Sequence, residues 1–223
     1  MLAERLKKIM AKLKIYKFPD LVLAQKAAPI SHIEKSLRKL ADDMFETMYH
    51  APGVGLAANQ VGLLQRIVVI DAEFEHEEFP EGEPPKELPE GAEIVAGGII
   101  KNKKPRILIN PEIIHREGSI LFSEGCLSVP EFSAEVERAE KIKVQHQDLD
   151  GLTKTFSAEG LLAIVVQHEL DHLDGKLFID RLSPLKKETV RRRLKQERAE
   201  REAEERELGE AALVPKNKKA TGL

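Results

Sequence analysis

His168-Glu169-Leu170-Asp171-His172 holds the clearest chemistry in the chain. Two histidines four apart on a helix lie one above the other, so both imidazoles can face one metal ion. Glu169 follows one residue on, turned by about 100°, which puts a carboxylate beside the ion rather than on it. That is where a general base for a metal-activated water belongs. Two solvated histidines on a surface helix would have the same spelling. The residues before them argue otherwise: Leu161, Val165, His168 and His172 stand at i, i+4, i+7 and i+11, one stripe that begins apolar. The histidines therefore belong to a partly buried face, where a polar side chain needs a partner and a metal supplies one.

A catalytic site of this kind takes three protein ligands and leaves one position open. The single cysteine, Cys126, lies within Glu124-Gly125-Cys126-Leu127-Ser128. Alone it reads as a small buried apolar side chain. It can form no intramolecular disulfide. A lone thiol suits a reducing compartment and leaves a thiolate free for metal.

These residues need a scaffold, and 223 residues suffice for one sizeable core. The formal charge is only −3, which argues against a dedicated nucleic-acid binder and leaves room for a local basic patch. No apolar run approaches the roughly 20 residues that cross a bilayer. Residues 1–14 are basic and amphipathic, without the apolar core of a secretory signal. With no serine and with Glu4 present, they read as a short helical extension rather than a transit peptide.

A first helix is expected from Ser31 to His50. Ser31 and Glu34 spell a capping box, and Ile33, Leu37, Leu40, Met44 and Met48 recur at helical spacing. It should stop before Ala51-Pro52-Gly53. Arg66-Ile67-Val68-Val69-Ile70 reads as a buried strand. From Glu73 to Lys104, crowded glutamates with Pro80, Pro84, Pro85 and Pro89 read as an insertion or extended loop, partly mobile, whose far end returns to the body through Ile94-Val95-Ala96 and Ile99-Ile100. Ile107-Leu108-Ile109 reads as a strand closed by Asn110-Pro111. Residues 142–146 and 153–156 read as a hairpin around Asp150-Gly151. Ala158 to Asp174 is the helix bearing the two histidines, with Gly175 as its left-handed cap. Leu185 to Leu208 is a charged helix supported by Glu188–Arg192, Glu197–Arg201 and Glu202–Arg206 pairs, and Pro215 to Leu223 a disordered end. Strands mixed with two core helices, without βαβ alternation, give an α+β fold.

Three segments then fall into order: Gly53-Val54-Gly55-Leu56-Ala57-Ala58-Asn59-Gln60, Glu124-Gly125-Cys126-Leu127-Ser128 and Gln167-His168-Glu169-Leu170-Asp171-His172. Together they resemble the three signature motifs of peptide deformylase. The resemblance runs from about Ile15 to Pro184, and Leu182-Ser183-Pro184-Leu185 also fits the bacterial enzymes. It implies mixed, mainly antiparallel sheets around a central helix carrying H-E-x-x-H, and removal of the N-formyl group from the initiating methionine of new polypeptides. It implies that Cys126, His168 and His172 bind one divalent ion, Fe(II) first, with zinc, nickel or cobalt also able to occupy the site. Glu169 would be the general acid/base, and the Gln60 side-chain amide and the Leu127 backbone N–H would stabilise charge on the formyl oxygen. Val54 and Gly55 would contact the substrate main chain as an added strand does. Phe122, Leu161, Ile164, Val165 and the edge of His168 would line the methionine pocket, with Glu124 and Gly125 also at the substrate. Plain core packing explains Leu161 and Ile164 equally well. Some bacterial members carry an arginine seven residues after the metal cysteine; here Ser133 stands there.

The division expected is therefore an N-terminal extension (1–14), a catalytic domain (15–184) containing the 73–104 insertion, and a charged tail (185–223). In some bacterial deformylases the C-terminal helix docks on the ribosome. Lys186, Lys187, Arg191, Arg192, Arg193, Lys195 and Arg198 make this tail's first half basic enough to meet RNA phosphates. The expectation is a monomer in the bacterial cytoplasm rather than an organelle, without a membrane partner. Two other readings compete. An H-E-x-x-H zinc endopeptidase would not need Cys126. A silent relative would be expected to have lost the base or a ligand, and Glu169, Gln60 and all three ligands are present.

Overall fold

The computed structural model describes residues 12–78, 92–95 and 98–213. In chain order these give α1 (Lys35–His50), β1 (Gly55–Ala57), β2 (Ile67–Ile70), β3 (Glu75–Glu78), β4 (Glu93–Val95), β5 (Gly98–Lys101), β6 (Arg106–Glu117), β7 (Ile120–Cys126), β8 (Val129–Arg138), β9 (Lys141–Gln147), β10 (Thr153–Glu159), α2 (Gly160–Leu173) and α3 (Pro184–Leu213). Short 3-10 turns occupy Leu21–Ala24, Ala58–Val61 and Phe178–Arg181. They fall into two compact units that meet at Leu182/Ser183.

The run Ile67-Val68-Val69-Ile70 is apolar without alternation because both of its faces are covered. Val68 and Ile70 pack with Ala163, Val166, Leu170 and Leu173 of α2, while Ile67 and Val69 pack with Leu37, Met44 and Met48 of α1. Successive side chains point to opposite faces, so one four-residue strand serves two helices. It lies inside a five-stranded sheet of order β1-β2-β6-β9-β10, whose pairs are all antiparallel. The expected α+β architecture around the histidine-bearing helix is what forms. β1 is an edge strand.

Three local expectations need correction. The capping box of Ser31 does not form. The first helix starts at Lys35, with Glu34 as a cap lacking a side-chain bond; that carboxylate instead accepts from Ser36 Oγ at 3.4 Å. β6 does not end at Asn110-Pro111. Asn110 takes φ +49°, the register slips between Ile109 and Glu112, and the strand continues to Glu117. A bulge leaves proline no ladder bond to spoil. The Asn110 side chain bridges the defect, accepting from Ile30 N and donating to Ile30 O, both at 2.8 Å, and donating to Gln147 at 2.7 Å. In the insertion, β3, β5 and β4 form an antiparallel sheet rather than an extended loop. Val95 and Ile100 are the cause, for they join the apolar cluster of α1. In the tail, Arg193 pairs with Glu197 at 2.6 Å. The features expected at 1–11, 79–91, 96–97 and 214–223 lie outside the described residues.

Asp71 clamps the base of the insertion. Fully buried, it accepts from Tyr49 OH at 2.7 Å, Lys104 N at 2.9 Å and Glu73 N at 3.2 Å, and its own N–H donates to Val54 O at 3.0 Å. Burial, with the Asp71 carboxylate beside it, holds the Tyr49 phenol far above its ordinary range, so it stays a donor. Asp71→Ala leaves these buried donors without an acceptor and should cost about 2–3 kcal/mol in urea unfolding. Tyr49→Phe, which removes one bond, should cost about 1 kcal/mol.

Candidate metal centre

α2 starts at Gly160 (φ +58°) and ends before Gly175 (φ +70°), the cap expected from sequence. Gly175 N donates to His172 O at 2.9 Å, and a Cβ there would lie 2.7 Å from Ala24 O. Both ends of the helix are thus fixed, and with them its rotation. Ala163, Val166, Leu170 and Leu173 go to the sheet. His168 and His172 turn toward the β7–β8 hairpin, which carries Cys126 in its final residue before the Leu127–Ser128 turn.

The ligand atoms of Cys126, His168 and His172 all lie within 4.8 Å of one another. Cys126 Sγ is 3.2 Å from His172 Nε2, and the two imidazoles meet edge to face at 4.9 Å between centroids. Two nitrogens and one sulfur converging from a helix and a hairpin fit a divalent ion of the zinc or iron type. Beside them Glu169 Oε2 is buried without a hydrogen-bond partner, which leaves acceptor capacity next to the ligand atoms. Burial and the neighbouring His168 push His172 well below its ordinary value, toward the neutral form that binds metal.

Glu169 lies against Gly55, where a Cβ would be 2.3 Å from its Oε1. Only glycine admits the carboxylate at that place. Burial raises the Glu169 carboxyl to about 7, where a group takes and returns a proton readily near neutrality. Gln60 sits in the turn after β1 and is buried. Its Oε1 accepts from Ala57 N at 2.8 Å, which aims its Nε2 at Ser128 Oγ, 3.2 Å away, and toward Cys126 Sγ at 3.7 Å.

A cavity of about 350 Å³ opens onto this group. Val54, Gly55, Gln60, Phe122, Glu124, Gly125, Cys126, Leu127, Leu161, Ile164, Val165, His168 and Glu169 all line it, together with Pro52 and Gly53. Every site residue expected from the sequence lines this cavity except His172, which is buried behind its wall beside Cys126. Glu124 borders the cavity, but its carboxylate is occupied: it accepts from His168 Nδ1 at 2.7 Å and from Arg138 at 2.6 and 3.0 Å. A carboxylate on the far nitrogen of a ligand histidine fixes its tautomer and leaves Nε2 free.

Sequence reasoning missed four contributors. Ser128, fully buried, accepts from Gln60 and donates its N–H to Cys126 Sγ at 3.4 Å. Phe178 stacks on the His168 ring at 6.1 Å. Arg138 and Asp171 form a buried ion pair at 2.6 Å. A usable signal existed for Arg138: Ala134, Val136 and Arg138 alternate on one face of β8, so a period-two reading turns the arginine inward.

The family model for polypeptide deformylase matches residues 12–188. The peptide deformylase of Alkalilimnicola ehrlichii is 47% identical over 185 residues, covering 83% of this chain and 90% of that protein. That of Xylella fastidiosa strain M12 is 47% identical over 192 residues, covering 85% and 98%. Among solved structures, a peptide deformylase from Legionella pneumophila has a TM-score of 0.68 at 40% identity and covers 86% of this chain and 98% of its own. One from Synechococcus elongatus in complex with actinonin has a TM-score of 0.63 at 37% identity, with coverage of 78% and 83%.

Glu124 also generates a pH dependence. Burial works to raise its carboxyl, but the bonds from Arg138 and His168 prevail and hold it at about 2. A carboxyl depressed on folding stabilises the protein fully above its unfolded value of about 4.5, and that stabilisation is lost as pH falls toward 2. Glu124→Gln should therefore narrow the loss of stability between pH 4.5 and 2, measured by denaturant unfolding at several pH values. An unchanged slope would show that Glu124 does not titrate there.

Proposed function

This chain belongs to the polypeptide deformylase family, and on that premise we propose which of its residues carry the reaction and which ion they hold. The chain is a metal-dependent hydrolase that removes the formyl group from the N-terminal methionine of newly made polypeptides. Cys126, His168 and His172 would hold the ion, with Fe(II) first on the family resemblance and zinc, nickel or cobalt also compatible with an N/S donor set. When bound, the ion supplies Lewis acidity, which eases ionisation of water and polarises a carbonyl.

The other steps fall to side chains and backbone. The formyl-methionyl end enters the cavity, where Phe122, Leu161, Ile164 and Val165 take the apolar methionine side chain. Its main chain runs along β1 as an added strand, with contacts at Val54 and Gly55. Glu169 takes a proton from water as the oxygen adds to the formyl carbon. Negative charge grows on the formyl oxygen, and the Gln60 amide and the Leu127 N–H donate to it. The C–N bond then breaks, Glu169 returns the proton to the departing amine, and formate and a free amino terminus leave. The observation that carries this assignment is the convergence of three ligand atoms within 4.8 Å on the wall of a cavity that also presents Glu169 and Gln60.

The basic first half of α3 is proposed as a ribosome contact, and the protein as a monomer working in the bacterial cytoplasm. Among the described residues no helix is long and apolar enough to cross a membrane.

Formate release from a formyl-Met-Ala-Ser peptide by protein loaded anaerobically with Fe(II) tests the assignment. The native chain should turn over, and Glu169→Ala should retain metal and lose activity. Gln60→Ala should cost on the order of 100-fold in kcat. Turnover persisting in Glu169→Ala would remove that residue from its role. Truncation after Pro184 should weaken co-sedimentation with ribosomes and spare activity on the short peptide; undiminished ribosome binding would discard the tail contact.

A further inference from the structure

The hairpin that carries Cys126 forms its own two-stranded sheet and is not hydrogen-bonded into the five-stranded one. The histidines ride on α2, which packs on that larger sheet. The spacing of sulfur and nitrogens therefore depends on what joins hairpin to helix. One such link runs through Gln60 to Ser128. A second is a closed ring of charged side chains.

The ring begins at His168, whose Nδ1 donates to Glu124 Oε2 at 2.7 Å. Arg138, on the other strand of the hairpin and four positions beyond the residue paired with Glu124, donates to both its carboxylate oxygens at 2.6 and 3.0 Å. The same guanidinium donates from Nη1 to Asp171 Oδ2 at 2.6 Å. Asp171 stands three residues after His168 on α2, which closes the circuit. Arg181 completes it from outside, with Nε on Asp171 Oδ2 at 3.0 Å and a second contact to Oδ1. Arg138 is only 2% exposed and Arg181 45%. The segment that supplies Arg181 also supplies Phe178, stacked on the His168 ring.

We propose that Arg138 and Arg181, bridged by Asp171, are positioning residues for the metal centre: they hold Glu124 in place on His168 and hold the helix in register with the Cys126 hairpin. The inference rests on the reading that Cys126, His168 and His172 hold the ion. Without Arg138, Glu124 and Asp171 would be two carboxylates facing each other in a buried space. Glu124 would lose the two bonds that hold it toward His168, and His168 would lose the fixed acceptor on its Nδ1. Arg181 acts one step further out, keeping Asp171 occupied so that Arg138 stays shared between helix and hairpin. A purely structural ion-pair cluster behaves differently, since replacing it alters stability and leaves ligand geometry unchanged.

The distinguishing experiment uses the full chain loaded with Co(II), comparing native protein with Arg138→Met, Arg138→Lys and Arg181→Met. The readouts are the rate of metal loss to a chelator, the visible absorption of bound Co(II), and kcat and KM on a formyl peptide. Arg138→Met should lose metal about 10- to 100-fold faster, the usual cost of removing support from a ligating histidine, with shifted Co(II) bands and with kcat falling more than KM changes. Arg138→Lys should recover part of the loss, and Arg181→Met should show a smaller acceleration. A folded Arg138→Met with native metal retention and native bands overturns the proposal. Where Arg138→Met does not fold, native retention in both Arg138→Lys and Arg181→Met overturns it instead. A native chain that binds no Co(II) would sink the ligand assignment itself, a separate outcome from either.

Discussion

The rotation of α2 about its own axis is the constraint on which the site depends. One side of the helix, Ala163, Val166, Leu170 and Leu173, is committed to the sheet through Val68 and Ile70. The other side presents His168, His172 and Glu169 to the hairpin and to β1. A slip of one residue would turn every side chain by about 100°, bringing Glu169 and His172 to the sheet in one direction and Gln167 and Asp171 in the other. Both errors cost several kcal/mol in desolvated polar groups and lost apolar burial. The core and the chemistry are therefore enforced by the same packing. Gly55 adds a steric check from the neighbouring strand, because its missing side chain leaves the room that Glu169 fills.

Around that helix, polar groups are satisfied unevenly, and the pattern is informative. Gln60, Ser128, Glu124, Arg138 and Asp171 are all buried, and each has a directed partner. Glu169 Oε2 has none. Supporting residues are saturated while the group beside the reaction centre keeps spare capacity. That is the economy expected of a prearranged site, in which orientation is fixed before the substrate arrives and little reorganisation remains.

How much of this could be read in the sequence follows from the range of the interactions. H-E-x-x-H and its apolar stripe are local and periodic, so the helix, its face and its Gly175 cap were legible. Cys126 lies more than forty positions from His168, and no spacing rule brings it there; only the joint motif pattern did. Nothing local marks Arg138 or Asp171 as part of the site, because their partners are distant in sequence, although alternation along β8 turns Arg138 inward. The Ser31 capping box failed because a four-residue spelling does not decide where a helix begins once tertiary contacts compete. Asn110-Pro111 looked like a strand end because proline ends most ladders, whereas here side-chain bonds to Ile30 and Gln147 carry the strand across a bulge. The apolar patches of the glutamate-rich insertion were legible, and Val95 and Ile100 do tie it to α1; the strands did not show because too few apolar residues alternate there to spell them.

Leu161 and Ile164 show why packing and substrate contact were hard to separate from sequence. Both fit a helix interior, and both line the cavity. Yet Leu161 is 42% exposed and Ile164 only 3%. Burial in the core accounts for Ile164 whether or not a ligand ever binds. It does not account for Leu161, nor for Phe122 and Val54, each 37% exposed at the same mouth. Three large apolar side chains left open around one polar centre form the kind of surface that a soluble protein keeps for a ligand. The inner wall is thus core that happens to face a cavity, and the rim is apolar surface that packing alone leaves without a reason.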